Sequence, residues 1–337
     1  MDPGSVDDVS RVPHGSSDDP DVLDLSANIN PRVPEGTRRV YESALGAAES
    51  YPDDGYPEFR RAAAEYVGCE PDSVVPTAGG LAAIRLAIGT TVSPGDRVLV
   101  PYPSFGEYAR EVELAGGDPV SVPHDEVTAR DPGEHAMAIL CTPNNPTGDC
   151  PPSDEIRAFA DRCEAAGTLL LVDEAFLGFT DRPSAAGTDG VVAVRSLTKL
   201  FGLPGLRAGF AVANGQTLER LRTARRTWSL GAPAAAVGTH AMCDTAFVAD
   251  TRRRVQRERA FLRDELCDRG IDAIPSEAPF VLCDVGEPPA KLLSTCRERG
   301  VVLRDATTFR GLDRHVRVAV RDRESTERLL AVLDEVL

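Results

Sequence analysis

The stretch Val191-Val192-Ala193-Val194-Arg195-Ser196-Leu197-Thr198-Lys199, followed by Pro204-Gly205-Leu206-Arg207, decides the fold class of this 337-residue chain. Its apolar first half is typical of a strand that is buried on both faces. Lys199 is one of only two lysines in a chain that otherwise uses arginine. A primary amine condenses with an aldehyde, and the flanking Ser196 and Arg207 are donors that suit a phosphate. These residues indicate a ligand with an aldehyde and a phosphate, although a lone lysine is more often a solvated surface residue.

Five further apolar runs have the same character. They alternate with segments whose apolar residues have helical spacing, such as residues 57–67 and 153–166. These runs are 74–75, 98–100, 138–140, 169–172 and 210–212. Such alternation predicts an α/β fold with a mainly parallel sheet and crossover helices. Beyond residue 215, Arg-rich helical patterns at 218–228 and 252–269 and weaker strands at 280–282 and 316–320 predict a smaller α+β domain. We therefore expect an N-terminal arm and substrate segment (1–38), a large domain (39–225) and a small C-terminal domain (226–337).

Composition excludes several classes of protein. A net charge of -16 argues against a nucleic-acid partner, and it suggests a protein that is soluble in a salt-rich medium. No apolar run approaches the ~18 residues that a membrane span requires. The acidic N-terminus does not resemble a signal peptide, so we expect a cytoplasmic location and no membrane partner. Eight dispersed cysteines and five dispersed histidines suggest no metal site.

Polar residues follow several of the predicted strands, where ligands of open α/β sheets bind. Asp173 ends the 169–172 run, and a carboxylate there can pair with a protonated pyridine nitrogen. Asn145 follows the 138–140 run, and Gly79-Gly80 opens a predicted helix whose backbone amides can hold phosphate. Each residue alone fits an ordinary cap or turn equally well. Together with Lys199, they predict an enzyme that uses pyridoxal 5'-phosphate.

From His14 to the C-terminus, these motifs resemble those of fold-type I pyridoxal-phosphate enzymes of the aspartate aminotransferase superfamily. The resemblance implies that Lys199 bonds to the cofactor, that Asp173 pairs with its ring nitrogen and that Asn145 contacts its O3' oxygen. The remaining implied cofactor contacts are Gly79, Gly80, Leu81, Ser196 and Arg207 at the phosphate and Phe105 on the ring. The phosphate loop lacks the Asn-Gly pair that is common in this family, which leaves its geometry open.

Tyr51 matches a tyrosine that enzymes of this superfamily extend to the cofactor phosphate of the neighbouring subunit. The resemblance therefore implies a homodimer with shared active sites.

Within the superfamily, the chain resembles the branch of histidinol-phosphate aminotransferases and L-threonine-O-3-phosphate decarboxylases. Four features match the decarboxylases better: His14-Gly15, Ser26-Ala27-Asn28-Ile29-Asn30-Pro31, Phe176 in place of a tyrosine, and the C-terminal region around Arg304 and Arg317. The missing phenol at position 176 removes one hydrogen bond to O3'. We therefore expect decarboxylation of L-threonine O-3-phosphate to (R)-1-amino-2-propanol O-2-phosphate, for cobalamin biosynthesis.

The same resemblance implies a pocket for a small phosphorylated amino acid, in which Arg317 binds the α-carboxylate and Arg304 binds the phosphate. Further residues implied in this pocket are His14, Gly15, Asn28 and Asn145. Guanidinium groups suit this task because they stay protonated and bind both anions with two donors. Transamination of a histidinol-phosphate-type substrate, with glutamate and 2-oxoglutarate, stays open because the same residues serve it. A third hypothesis is a scaffolding protein without cofactor, against which the complete set of cofactor residues stands.

Overall fold

The computed structural model describes residues 1–336 as strands and helices in frequent alternation. The strands are β1 (Leu23–Asp24), β2 (Val74–Thr77), β3 (Arg97–Tyr102), β4 (Asp118–Pro123), β5 (Met137–Cys141), β6 (Leu169–Asp173), β7 (Val191–Ser196), β8 (Gly209–Val212), β9 (Asp272–Ala273), β10 (Phe280–Asp284), β11 (Val301–Val302), β12 (Arg304–Asp305) and β13 (His315–Ala319). The α-helices are α1 (Thr37–Ala44), α2 (Pro57–Val67), α3 (Gly80–Thr91), α4 (Glu107–Leu114), α5 (Ser153–Ala166), α6 (Gly215–Ala224), α7 (Ala232–Cys243), α8 (Thr245–Asp268), α9 (Ala290–Glu298) and α10 (Arg323–Val336). All six apolar runs before residue 215 that were predicted as strands lie in this set, as do the two helices at 57–67 and 153–166.

A seven-stranded sheet with the order β2-β8-β7-β6-β5-β3-β4 forms the centre of the fold. Neighbouring strands are parallel except at β8, which runs antiparallel to both β2 and β7. Residues 197–208, which join β7 to β8, contain only a 3-10 turn, and a parallel return needs a longer crossover. The predicted mainly parallel sheet is confirmed. The unpredicted reversal of β8 places its first residue, Gly209, beside Ser196 at the end of β7.

Apolar side chains cover both faces of this sheet. On one face, Ile139 and Leu171 pack in a cluster with Ile84 of α3. On the other face, Leu140 and Leu170 pack with Phe159 of α5. Two buried faces explain why these strands have continuous rather than alternating apolar residues.

The C-terminal region contains a second sheet, with the order β12-β13-β10-β9 and antiparallel pairing throughout. Residues from the opposite end of the chain join this region, because β1 pairs in parallel with β11. Helix α7 lies beyond the predicted boundary at residue 225 but packs against α1 and α2. The proposed domain boundaries at residues 38 and 225 stay predictions. None of the helices within residues 1–336 has the length and apolar character that crossing a bilayer requires.

The prediction of one helix over 218–228 is wrong at its C-terminal end. Helix α6 stops at Ala224, and Trp228 has a left-handed backbone conformation with φ of 51°. Asp54 accepts hydrogen bonds from the Trp228 amide (2.6 Å) and from Arg225 Nη2 (2.7 Å). These contacts with a distant loop outweigh the local helical pattern.

Candidate active site

A cavity of about 380 Å³ lies at the carboxyl ends of β5, β6 and β7, and β12 and β13 contribute its opposite wall. Nearly all the side chains predicted for the site line it: His14, Gly15, Asn28, Gly80, Leu81, Phe105, Asn145, Asp173, Ser196, Lys199, Arg207, Arg304 and Arg317. Gly79 lies immediately beside the cavity, and Tyr51 lies elsewhere on the surface. Segments from both sheets and from the N-terminal region therefore meet at one point.

Lys199 presents its amine to this cavity from the loop after β7. Its backbone carbonyl accepts a hydrogen bond of 3.0 Å from the Asn30 amide, which ties the loop to the N-terminal substrate segment. Burial, together with the positive charges of Arg317 and Arg207, lowers the pKa of Lys199 to about 8. An amine with this pKa is partly neutral near neutral pH, which is the nucleophilic form.

Asp173, at the end of β6, is 5% exposed, and its carboxylate accepts two hydrogen bonds. Tyr108 donates its hydroxyl to Oδ2 at 2.6 Å, and the Ala175 amide donates to Oδ1 at 2.9 Å. Burial raises the pKa of Asp173, and these two hydrogen bonds oppose the rise. Tyr108 is not among the site residues predicted from the sequence. Its spacing of three residues from Phe105 was the available signal, because the two rings meet edge to face at 5.4 Å.

The start of α3, the end of β7 and the start of β8 form a candidate phosphate site. The helix begins at Gly80, so its first backbone amides are free to bind an anion. Gly79 has φ of 96°, and a Cβ on it would lie 2.8 Å from Arg207 Nη2. The close approach of Arg207 therefore requires glycine there. Ser196 adds a hydroxyl, which lies 2.7 Å from the hydroxyl of Thr198.

Arg317, on β13, crosses the cavity toward the central sheet and is 5% exposed. It donates to the side-chain oxygen of Asn145 and, through Nη2, to the Ser26 carbonyl at 2.9 Å. Its Nε is buried and has no hydrogen-bond partner among residues 1–336. Burial, together with the positive charge of Arg304, lowers the pKa of Arg317 to about 9.

Residues 12–16, here called the N-terminal strap, lie against Arg304 and line the cavity. Arg304 Nη2 donates to the Pro13 carbonyl and to Thr308 Oγ1, both at 2.8 Å. A Cβ on Gly15 would lie 2.8 Å from Arg304 Cδ, so the strap is in close contact with the aliphatic part of the Arg304 side chain. His14 Nε2 lies 3.0 Å from Glu107 Oε1, which joins the strap to α4.

Asn28 adds a free polar group to the same wall of the cavity. Its side chain is 4% exposed, and its Oδ1 has no hydrogen-bond partner within the described residues 1–336. A buried amide without a partner is costly unless a ligand satisfies it. Asn28 therefore lines the cavity together with the other residues predicted to bind substrate, and its role there stays a prediction.

Tyr51 is 76% exposed and stacks on Trp228, with 4.1 Å between the ring centroids. It does not line the cavity of its own chain. Its role at a neighbouring subunit stays a prediction.

The residues present fit pyridoxal 5'-phosphate. Lys199 supplies an amine for the aldehyde, and Asp173 supplies a buried carboxylate for the ring nitrogen. Gly80, Ser196 and Arg207 supply donors for the phosphate. Donors and acceptors therefore match each polar part of the cofactor.

Comparisons with known proteins agree with this chemistry. Residues 20–333 match the family model for aminotransferase class I and II. A histidinol-phosphate aminotransferase of Symbiobacterium thermophilum is 32% identical over 94% of this chain and 91% of that protein. A threonine-phosphate decarboxylase of Salmonella typhimurium is 30% identical over 94% of this chain and 91% of that protein.

Among solved structures, the histidinol-phosphate aminotransferase from Sinorhizobium meliloti in complex with pyridoxal-5'-phosphate has a TM-score of 0.83. It is 21% identical and aligns over 92% of this chain and 89% of that chain, which supports the fold. The family match, the fold and the site together show that the chain belongs to the class I and II aminotransferase family of pyridoxal-phosphate enzymes.

Proposed function

We propose that this enzyme decarboxylates L-threonine O-3-phosphate. The observation that carries the proposal is the contact between the N-terminal strap and Arg304. Pro13 accepts a hydrogen bond from Arg304, while His14 and Gly15 line the same part of the cavity. The strap and the guanidinium thus enclose an anion site close to the rest of the pocket, as a phosphate on the β-carbon of a short amino acid requires.

The two arginines favour a substrate with two anionic groups. Arg317 lines the cavity with a guanidinium that can hold a carboxylate, and Arg304 lies at the strap for a phosphate. The cavity of about 380 Å³ is open to solvent and must hold both the cofactor and the substrate.

Different residues of the chain have different roles in the proposed reaction. When bound, pyridoxal phosphate supplies a ring that accepts the electron pair released as a bond at the substrate Cα breaks. Arg317 and Arg304 hold the two ends of the substrate and thereby decide which Cα bond lies perpendicular to that ring. Asp173 holds the proton on the ring nitrogen. Lys199, whose pKa is about 8, returns a proton to Cα after carbon dioxide has left.

The identity of residue 176 also supports decarboxylation. Phe176 lines the cavity and packs edge to face on Phe280, with 5.1 Å between ring centroids. A phenylalanine there offers no hydroxyl to O3', so Asn145 is the proposed amide contact with that oxygen.

A second candidate is transamination of a histidinol-phosphate-type substrate. A histidinol-phosphate aminotransferase of Halobacterium salinarum is 33% identical over 95% of this chain, slightly above the threonine-phosphate decarboxylase relative. Glutamate, the amino donor of that reaction, has two carboxylates and could also occupy the two arginines. The difference between the reactions lies in the orientation of the substrate, since Lys199 and Asp173 serve both.

A single-turnover reaction of the holoenzyme with L-threonine O-3-phosphate separates these candidates. We expect one carbon dioxide per active site and a cofactor spectrum that returns to its starting form. Conversion of the cofactor to its amine form without carbon dioxide would instead support transamination. Arg304→Gln is the matched variant: it should abolish the preference for the phosphorylated substrate over L-threonine while L-threonine binding changes little.

We also propose a homodimer in the cytoplasm. The exposed Tyr51–Trp228 pair supports a contact with a second copy of the chain. Sedimentation of the holoenzyme should give twice the mass of the chain, and a monomer would contradict the shared active site.

A further inference from the structure

We propose that Tyr108 is a positioning residue that keeps Asp173 ionised and aimed at the cofactor ring, and thereby keeps the ring nitrogen protonated. This inference rests on the cofactor role proposed above for Asp173. It does not depend on whether the enzyme decarboxylates or transaminates its substrate. Tyr108 lies on α4, and the function proposed above gives it no role.

The geometry around Asp173 carries the inference. Tyr108 is fully buried, and its hydroxyl donates to Asp173 Oδ2 at 2.6 Å, the short distance of a hydrogen bond to an ionised acceptor. Ala175 N donates to the other oxygen at 2.9 Å. Each carboxylate oxygen of Asp173 therefore accepts a hydrogen bond from the protein, and the two hydrogen bonds together fix the orientation of the carboxylate.

The protonation of the pair follows from its surroundings. Burial raises the pKa of Tyr108 well above its ordinary value, and the adjacent negative charge of Asp173 acts in the same direction. The phenol consequently keeps its proton and remains a donor. The other titratable groups that act on Asp173 or Tyr108 are Glu174, Lys199 and Cys141. Of these, only Lys199 favours the Asp173 anion, so the Tyr108 hydroxyl is a principal support for its charge.

Ionised Asp173 is the form that can stabilise a protonated ring nitrogen. Protonation of Asp173 would remove the negative charge from this position and make the ring a weaker electron acceptor. Tyr108 therefore acts on the reaction through Asp173, without contact with the reacting bond. Phe105, which meets the Tyr108 ring at 5.4 Å, joins this support to the residue predicted to stack on the cofactor.

The test combines Tyr108→Phe with two measurements. Infrared titration of the apoprotein, with Asp173→Asn to assign the carboxyl band, should show that Asp173 retains its proton to higher pH in Tyr108→Phe. In the holoenzyme, loss of a hydrogen bond to a charged group should lower kcat about 10- to 100-fold with little change in KM. A cofactor methylated on the ring nitrogen, whose positive charge is permanent, should remove most of the difference in kcat between Tyr108→Phe and the parent enzyme.

Tyr56→Phe is the matched control. Tyr56 is also buried, and its hydroxyl donates to the Leu230 carbonyl at 2.9 Å, outside the cavity. This variant should leave the titration of Asp173 unchanged. Equal Asp173 titration in Tyr108→Phe and parent would overturn the inference, and so would a rate loss that the methylated cofactor does not reduce. Failure of the proposed function is a separate result, because parent enzyme would then release no carbon dioxide from phosphothreonine.

Discussion

Gly15→Ala tests the role of the N-terminal strap with the addition of a single methyl group. A Cβ at this position would lie 2.8 Å from Arg304 Cδ and 2.9 Å from the Ser26 carbonyl oxygen. Real Cβ atoms essentially never approach other heavy atoms this closely, so the strap, the arginine or both must move by several tenths of an ångström. The Ser26 carbonyl cannot easily yield, because it also accepts a hydrogen bond from Arg317.

The magnitude follows from this overlap. Inserting a methyl group into a packed site costs about 1–3 kcal/mol, which corresponds to about 5- to 150-fold in binding. If the strap and Arg304 enclose the substrate phosphate, the cost falls on the phosphorylated substrate. We therefore expect KM for L-threonine O-3-phosphate to rise by about tenfold or more, and L-threonine to be affected much less.

Steady-state carbon dioxide release with both substrates provides the assay. Gly46→Ala is the control, because a Cβ at that exposed position meets nothing within 4 Å. Retention of cofactor by Gly15→Ala, read from its absorbance, verifies that the cofactor site is intact. Equal kinetic changes for both substrates, or none for either, would refute the placement of the phosphate between the strap and Arg304.

Three further predictions concern the lysine, a buried ion pair and the net charge. The rate at which apoprotein captures pyridoxal phosphate should rise with pH through about 8, because only neutral Lys199 reacts, and Arg317→Gln should move this midpoint upward; a midpoint near 10 in the parent would contradict the lowered pKa. Glu174→Gln should lower the free energy of unfolding in urea by about 3–5 kcal/mol, because it leaves the buried Arg195, 2.8 Å away, without a counter-charge. The exposed control Glu42→Gln should cost less than about 1 kcal/mol. The midpoint of thermal unfolding should rise between low and molar salt, because salt screens repulsion in a chain of net charge -16; a salt-independent midpoint would rule out this explanation.

The sequence was most informative where each segment specifies its own structure. The apolar runs predict the strands of the central sheet, because a strand buried on both faces needs apolar residues throughout. Lys199, Asp173 and Asn145 could be placed together for the same reason: they follow parallel strands, whose carboxyl ends meet at one edge. The topology of the central sheet thus brings together residues that are far apart in the sequence.

Features that depend on pairs of distant segments could not be predicted in this way. The hydrogen bond from Tyr108 to Asp173 joins α4 to β6, and the only local signal for it is the spacing of three residues between Tyr108 and Phe105. The end of α6 is determined by Asp54, which binds Arg225 and the Trp228 amide from far along the chain. In both cases a tertiary contact decides the outcome.

The position of the substrate residues explains how one cofactor site could serve two reactions. The cofactor residues come from the central sheet, whereas Arg304 and Arg317 come from the C-terminal sheet. Asn30 connects the two parts: its amide donates to the Lys199 carbonyl at 3.0 Å, and its side-chain oxygen accepts from Arg254 of α8 at 2.6 Å.

Arg254 in turn donates to the Arg321 carbonyl, a short distance along the chain from Arg317. These hydrogen bonds link the lysine loop to the segment that carries Arg317. We propose that a small shift of this segment would turn a different Cα bond toward the cofactor without disturbing the groups that hold the cofactor. Substitutions that change the reaction should therefore be sought in the strap and the C-terminal sheet.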